Sequence, residues 1–452
     1  MKKKIFSLFV IINLLFCTAC VIYAEGEQDA QNTQPEIDLS VPAPHAAAVL
    51  LTDMKSGKVL YERNSTDKMY PASTTKIMTA ILVLENANFS DTVIAQKEAI
   101  EPITNQHSHM GIIVGEEFTV EQLMYGMLVY SANDAANVLA VHVGGSLDAF
   151  AQMMNEKASE LGAVNTHFTN PHGFHDENHY TCASDLALFA RYAMQFDDFR
   201  NIVKTDMYEI APTEKYHEIR YLSNTNHLVS RRRRAEYFYK KATGIKTGFT
   251  DEAGSCLVAS AQDGDTELLS VVMKCANAGE LYSFSESKAL LEYGFENFKY
   301  ITLSANGEVI YDSPVYEAKK DVRVAITPKE NISALLPIDI NIKEDVNINF
   351  EFDDKALKAP IKKDETLGTA TYEYRGEVIG TAEFIAVNDV EKDYILAAIH
   401  IVVKLFTNPI FIIVLIVLIY LLLVSDIKRR KKRRSRRSRM TYVNEPKYKH
   451  KK

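Results

Sequence analysis

Ser73-Thr74-Thr75-Lys76 sets a hydroxyl and an amine three residues apart, and two further motifs follow in order, Ser131-Ala132-Asn133 and Lys246-Thr247-Gly248. A serine hydroxyl is a weak nucleophile at neutral pH and needs a neighbouring base and a site for the oxyanion it generates. On a helix, positions i and i+3 share a face with Cβ atoms about 5–6 Å apart, so Lys76 can reach Ser73. A helix opening at Ser73, just after Pro71-Ala72, would also turn exposed amides and its positive end toward developing negative charge. Lysine serves as a base only when its pKa falls far below about 10.4, which burial and a second cation bring about. Lys246 is the candidate second cation. Singly, each motif is ordinary: a solvated lysine, polar residues at a helix break, a strand tripeptide. The ordered set carries the reading.

Ser131 and Asn133 stand where the apolar period of one helix gives out and another begins. The hydroxyl there can relay a proton and the amide can hold a substrate peptide group. Lys246-Thr247-Gly248 ends a strand, whose edge can pair with an extended peptide. Gly248 leaves room for that approach, Thr247 can bond a terminal carboxylate, and Phe249 can supply a second oxyanion amide.

The elements that must position these groups are legible. Residues 46–52 and 58–61 read as strands joined at Lys55-Ser56-Gly57. Thr119 with Gln122 forms a capping box, and residues 146–161 and 184–194 read as helices. Residues 255–261 and 266–275 read as strands joined through Asp263-Gly264, and 286–298 as a closing helix. Strands at both ends with helices between predict an α+β domain over 42–300 whose terminal segments share one antiparallel sheet. Residues 301–390 alternate in short runs without a long helix and predict a separate small all-β domain.

The ends are not globular. Residues 1–24 carry Lys2, Lys3 and Lys4, an apolar stretch and a small-residue site, and so read as a signal peptide; Cys20 leaves a lipid-attachment reading open. Residues 25–41 read as a polar spacer. The apolar run 405–424, within a segment 391–427, is long enough to cross a membrane. The basic tail 428–452 predicts that the C-terminus is cytoplasmic and the body extracytoplasmic. That tail has 14 Lys or Arg and one Glu, so within a chain of net charge −8 residues 25–427 carry −24. Such an acidic body argues against nucleic-acid binding. Beyond the signal three cysteines remain, Cys182, Cys256 and Cys275. The odd number excludes full pairing, although Cys256 and Cys275 fall on adjacent strands.

These motifs resemble the low-molecular-mass penicillin-binding proteins, serine D-alanyl-D-alanine carboxypeptidases. The likeness spans roughly residues 42–390 and rests on Tyr70-Pro71-Ala72-Ser73-Thr74-Thr75-Lys76, Ser131-Ala132-Asn133-Asp134-Ala135-Ala136-Asn137, Asn170-Pro171-His172-Gly173 and Gly244-Ile245-Lys246-Thr247-Gly248-Phe249-Thr250-Asp251. It implies a β-lactamase/transpeptidase-like catalytic fold, followed by the β-domain and the membrane helix. It also implies an enzyme without cofactor that removes the last D-alanine from peptidoglycan stem peptides and is acylated by β-lactams. By the resemblance Ser73 forms the acyl-enzyme, Lys76 accepts its proton, Ser131 joins the proton relay, and Lys246 with Thr247 holds the substrate carboxylate. Two departures stand out: residues 281–285 hold no arginine where members often carry one for that carboxylate, and Phe249 replaces a histidine found in some.

Three other readings compete. A class A β-lactamase needs a glutamate after the second motif to activate water, and Glu101-Pro102-Ile103-Thr104-Asn105 lies before it. His167, His172, His175 and His179 crowd one loop, but His175-Asp176-Glu177-Asn178-His179 lacks the glutamate directly after the first histidine that a zinc peptidase uses. A non-catalytic penicillin-binding scaffold is expected to have lost part of the motif set, which is intact here. Residues 231–234, all arginine, form a basic cluster in the acidic body, with attraction of anionic wall polymer as one reading.

Overall fold

Strands from the two ends of the first unit share one sheet. The computed structural model describes residues 43, 45–104, 108–276, 281–353 and 357–441, with side chains to residue 434. The signal peptide, the spacer and residues 442–452 lie outside the described residues. The chain forms two units, residues 1–300 with 335–340, and residues 301–334 with 341–452.

In the first unit β1 (Ala48–Asp53) turns through Gly57, at φ +77°, into β2 (Val59–Arg63). It is joined by β3 (Ala242–Thr250), β4 (Gly254–Asp263) and β5 (Thr266–Cys275). The order is β2-β1-β5-β4-β3, antiparallel throughout, so β3 is an edge strand. Because side chains alternate across a sheet, Leu50, Val258 and Val271 enter one core while Val49, Leu51, Leu257 and Val272 enter another.

The first core holds α1 (Lys76–Asn86), α2 (Val120–Leu128), α3 (Asn133–Gly144), α4 (Leu147–Glu160) and α5 (Ala183–Ala193). Residues 76–83 of α1 are all buried, so this helix is central rather than amphipathic. α2 starts with the reciprocal capping box of Thr119 and Gln122. The second core packs α6 (Tyr282–Asn297) on the opposite face through Leu290 and Leu291. Cys256 and Cys275 therefore sit in different cores, and all three cysteines are free and buried. Burial raises the Cys182 and Cys256 thiols to about 11 and pushes Cys275 up as well, so none is a thiolate at neutral pH.

Two short hairpins were not legible in the sequence: residues 92–94 with 117–119, and 207–210 with 220–223. They deliver a buried ion pair. Arg220 donates from Nη1 and Nη2 to the two oxygens of Glu116, each at 2.9 Å, from Nε to the Met110 carbonyl and from Nη2 to the Gly111 carbonyl, both at 3.0 Å. Burial alone would raise the Glu116 pKa, but hydrogen bonds from Arg220, Thr213 and the Ile113 amide hold it below the usual range. Leaving one buried partner uncompensated costs about 3–5 kcal/mol. Glu116→Ala is therefore expected to lower the thermal midpoint markedly, and a midpoint within a degree or two of wild type would show that the pair contributes little.

The second unit is built on β6 (Tyr311–Pro314), β7 (Arg323–Pro328), β8 (Val346–Phe352), β9 (Thr366–Tyr374) and β10 (Glu377–Ala386), in the antiparallel order β6-β7-β10-β9-β8. Phe350, Phe352 and Phe384 pack their rings together within it. Two helices follow, α7 (Tyr394–Thr407) and α8 (Pro409–Thr441). The apolar run read as 405–424 is thus split. Asn408 Oδ1 accepts from the amides of Ile410 and Phe411, and Pro409 takes the first helical position, where its missing N–H costs nothing. The span long and apolar enough to cross a membrane starts at Pro409.

Candidate active site

The nucleophile turn differs from the sequence expectation. Residues Ala72–Thr75 form a 3₁₀ turn and the α-helix begins only at Lys76. With three residues per turn, positions i and i+3 eclipse, which brings Lys76 Nζ to 2.9 Å from Ser73 Oγ. Ala72 holds φ +47°, an uncommon conformation for a residue with a Cβ.

Lys76 is fully buried, and Nζ also donates to Asn133 Oδ1 at 2.7 Å and to the His172 carbonyl at 2.8 Å. Burial, then the neighbouring charge of Lys246, lowers its pKa well below the ordinary lysine value, against the opposing pull of Asp134. A neutral amine has two N–H groups and one lone pair. Two carbonyl acceptors and one hydroxyl satisfy that set, and the same three oxygens satisfy the protonated form. The Ser73 proton can therefore move onto Nζ without either partner rotating.

With the Lys76 lone pair turned to Ser73, Nζ meets Asn133 as a donor, so the Asn133 end facing it is the oxygen and its amide nitrogen is a donor for another partner. Ser131, at φ +66°, breaks the chain between α2 and α3 and receives Lys246 Nζ at 3.0 Å. Lys246 Nζ also donates to the Thr247 carbonyl at 3.0 Å. Burial depresses the Lys246 pKa to about 7.

Gly248 explains how β3 meets the nucleophile. A Cβ there would lie 2.9 Å from the Pro71 carbonyl and 3.1 Å from the backbone nitrogens of Ser73 and Thr74. The strand edge thus passes directly over the amides at the start of the turn. Phe249, next along, is 57% exposed at the rim.

Sequence reading named Ser73, Lys76, Ser131, Asn133, Lys246, Thr247, Gly248 and Phe249; hydrogen bonds join Ser73, Lys76 and Asn133 and join Ser131, Lys246 and Thr247, Gly248 lies against the Ser73 amide, and Phe249 follows it on β3. It assigned no role to three supporting groups. His172 acts through its main-chain carbonyl, which side-chain chemistry does not advertise. Asp134 is buried and accepts from the amides of Met110, Ile112 and Ala135, pinning the loop beside motif two. Thr225 places its hydroxyl 2.8 Å from that of Thr247 and donates its amide to the Val129 carbonyl.

The four loop histidines go to separate partners. His179 is buried, its Nδ1 accepts from the Thr169 amide, and its Nε2 lies 2.8 Å from Thr75 Oγ1. Burial lowers its pKa to about 4. His167 bonds the Asn178 carbonyl, and His175 meets the edge of Tyr70. Among the described residues, no group of three His, Cys, Asp or Glu is placed to hold a metal ion.

Comparisons with known proteins identify the family. The D-alanyl-D-alanine carboxypeptidase family profile matches residues 34–277, and that of the penicillin-binding protein 5 C-terminal domain matches 298–392. The D-alanyl-D-alanine carboxypeptidase DacF of Bacillus subtilis is 31% identical, covering 87% of this chain and 95% of its own. DacA of Escherichia coli is 29% identical, covering 83% and 90%. Among solved structures, penicillin-binding protein 5 from Haemophilus influenzae superposes with a TM-score of 0.59 at 29% identity, over 77% of this chain and 98% of its own. The Streptomyces K15 DD-transpeptidase does so at 0.52 and 32% identity, over 57% and 100%. With the mixed α/β fold and the serine–lysine geometry, these matches place the chain in the D-alanyl-D-alanine carboxypeptidase family of penicillin-binding proteins, serine hydrolases of the cell wall.

Proposed function

We propose that Ser73 Oγ attacks the carbonyl of the penultimate D-alanine of a peptidoglycan stem peptide while its proton passes to neutral Lys76. The amides of Ser73 and Phe249 receive the oxyanion. Ser131, bonded to Lys246, returns a proton to the nitrogen of the departing D-alanine, and water then attacks the ester with the proton path reversed. Asn133 orients the peptide, and Lys246 with Thr247 takes the terminal carboxylate. A β-lactam enters by the same first step. The observation that carries this reading is the buried Lys76 amine, 2.9 Å from Ser73 Oγ, with its remaining hydrogen bonds made to Asn133 and His172. Release of D-alanine from diacyl-Lys-D-Ala-D-Ala by the purified protein tests it; penicillin binding without such release would favour the non-catalytic scaffold.

The pH profile follows from the two lysines. kcat/KM reports the free enzyme, so its rising limb should follow the loss of the Lys76 proton, displaced well below the ordinary lysine range, and its falling limb should lie near pH 7, where Lys246 loses its own. Lys246→Arg keeps the charge at every working pH and should move the falling limb to higher pH. A limb that stays in place belongs to another group.

We further propose that the β-rich stretch 301–390 acts as a stalk, and that α8 crosses the membrane with the basic tail in the cytoplasm. From Pro409 to Ile427, at about 1.5 Å per residue, the helix rises roughly 28 Å, close to a hydrocarbon layer of about 30 Å. Truncation after residue 408 is expected to shift the protein from the membrane pellet to the soluble fraction of the producing cells, which fractionation and immunoblotting would measure. Full retention in the pellet would place the anchor elsewhere.

A further inference from the structure

We propose that Arg233, backed by Arg231, is the cation that selects the C-terminal carboxylate of the peptide substrate, resting on the reading of Thr247 as that carboxylate's hydroxyl partner. The segment that carries these arginines is tied to the second and third motifs at its start. Thr225 is bonded to motif two through the Val129 carbonyl and to motif three through the Thr247 hydroxyl. Ser230 is buried and donates its amide to the Asn226 carbonyl; after the four exposed arginines the chain is drawn back by the amide of Tyr239 on the Leu228 carbonyl. Residues 231–234 are thus a short exposed excursion in the segment that starts from Thr225, the residue bonded to Thr247.

Within that excursion the four charges are not equivalent. Arg232 is paired with Asp206 at 2.7 Å, and Arg234 faces Glu236 at 3.5 Å. Arg231 instead lies 4.0 Å over the ring of Phe238, and Arg233 5.9 Å over the ring of Tyr130, the residue that precedes Ser131. Among the described residues neither meets a carboxylate. An aromatic face steadies a guanidinium while leaving its N–H edge open to a carboxylate, which it can take with two parallel hydrogen bonds.

An exopeptidase must read the chain end, and the buried lysine of motif three is poorly suited to do so alone. Its Nζ is already bonded to Ser131 and to the Thr247 carbonyl. Near neutral pH it also holds its proton only part of the time. A guanidinium keeps its charge at every working pH. The acidic body would otherwise repel an anionic chain end, so two arginines without a carboxylate partner among the described residues, one of them over Tyr130 next to Ser131, mark where such an end is accepted.

The test uses the full-length protein in detergent, with diacyl-Lys-D-Ala-D-Ala and the same peptide as its C-terminal amide. Arg233→Gln with Arg231→Gln is expected to raise KM for the free acid about fivefold, the upper range for an exposed charge pair. kcat should stay within twofold, Arg233→Lys should recover at least half the loss, and hydrolysis of the amide should be unchanged. Equal losses on acid and amide would make the loop merely structural and overturn the proposal. So would an unchanged KM, whether or not the variant binds less of an isolated phosphate-bearing wall polymer. Failure of the wild-type protein to release D-alanine would instead strike at the carboxypeptidase reading, so the two failures are distinguishable.

Discussion

Ser73→Ala is expected to abolish both D-alanine release and covalent labelling by β-lactams while the protein remains folded. Loss of the nucleophile of a comparable catalytic unit costs about 10⁶ in kcat, so the variant should fall to background in any practical assay. The fold should survive because Oγ is only one of three partners of Lys76 Nζ, and the Asn133 and His172 oxygens still satisfy the two N–H groups of the neutral amine. Intact-mass spectrometry after penicillin exposure gives the clean readout: one adduct on wild type, mapped to the peptide bearing Ser73, and none on the variant. An adduct that persists, or maps to Ser131, would require a different nucleophile.

Gly173→Ala should be nearly as damaging without touching a reacting atom. A Cβ there would lie 1.8 Å from the Ala72 carbonyl oxygen and 2.4 Å from its carbon, and Gly173 itself holds φ +86°. Both obstacles are backbone, so no side chain can swing aside. Either the 3₁₀ turn carrying Ser73 or the loop carrying the His172 carbonyl has to move. A displacement of about 1 Å at a reacting centre costs roughly 10² in rate, and the left-handed backbone adds about 1 kcal/mol or more of destabilisation. The acylation rate by fluorescent penicillin is expected to drop at least a hundredfold, with a lowered thermal midpoint. Wild-type acylation would mean that this loop does not hold the nucleophile in place.

The regular elements and the reacting side chains were open to sequence reading for the same reason: each is signalled locally. The capping box at Thr119 and Gln122, the Gly57 turn and the β-rich run 266–275 each fix their own geometry over a few residues. What escaped depends on distant backbone. The 3₁₀ turn at Ala72–Thr75 is held by Gly173 and Gly248, contributed by a remote loop and by β3. The strand pair 207–210 with 220–223 is only four residues a side, and an arginine such as Arg220 in a sequence gives no sign that it will be buried against Glu116. The break at Asn408 was visible as an interruption of the apolar run, but a proline can kink a helix or start one, and only the cap formed by Asn408 shows that it starts one here.

The position of β3 at the sheet margin, directly over the turn that carries Ser73, has a consequence for what the enzyme leaves alone. A margin of unpaired amides and carbonyls accepts only a stretched backbone lying alongside it, and a polypeptide already wound or paired within its own fold has nothing to offer. Under the proposed reaction, shape filters before chemistry begins: polypeptides that have finished folding are expected to pass by unharmed, while loose extended peptide ends fit the rail.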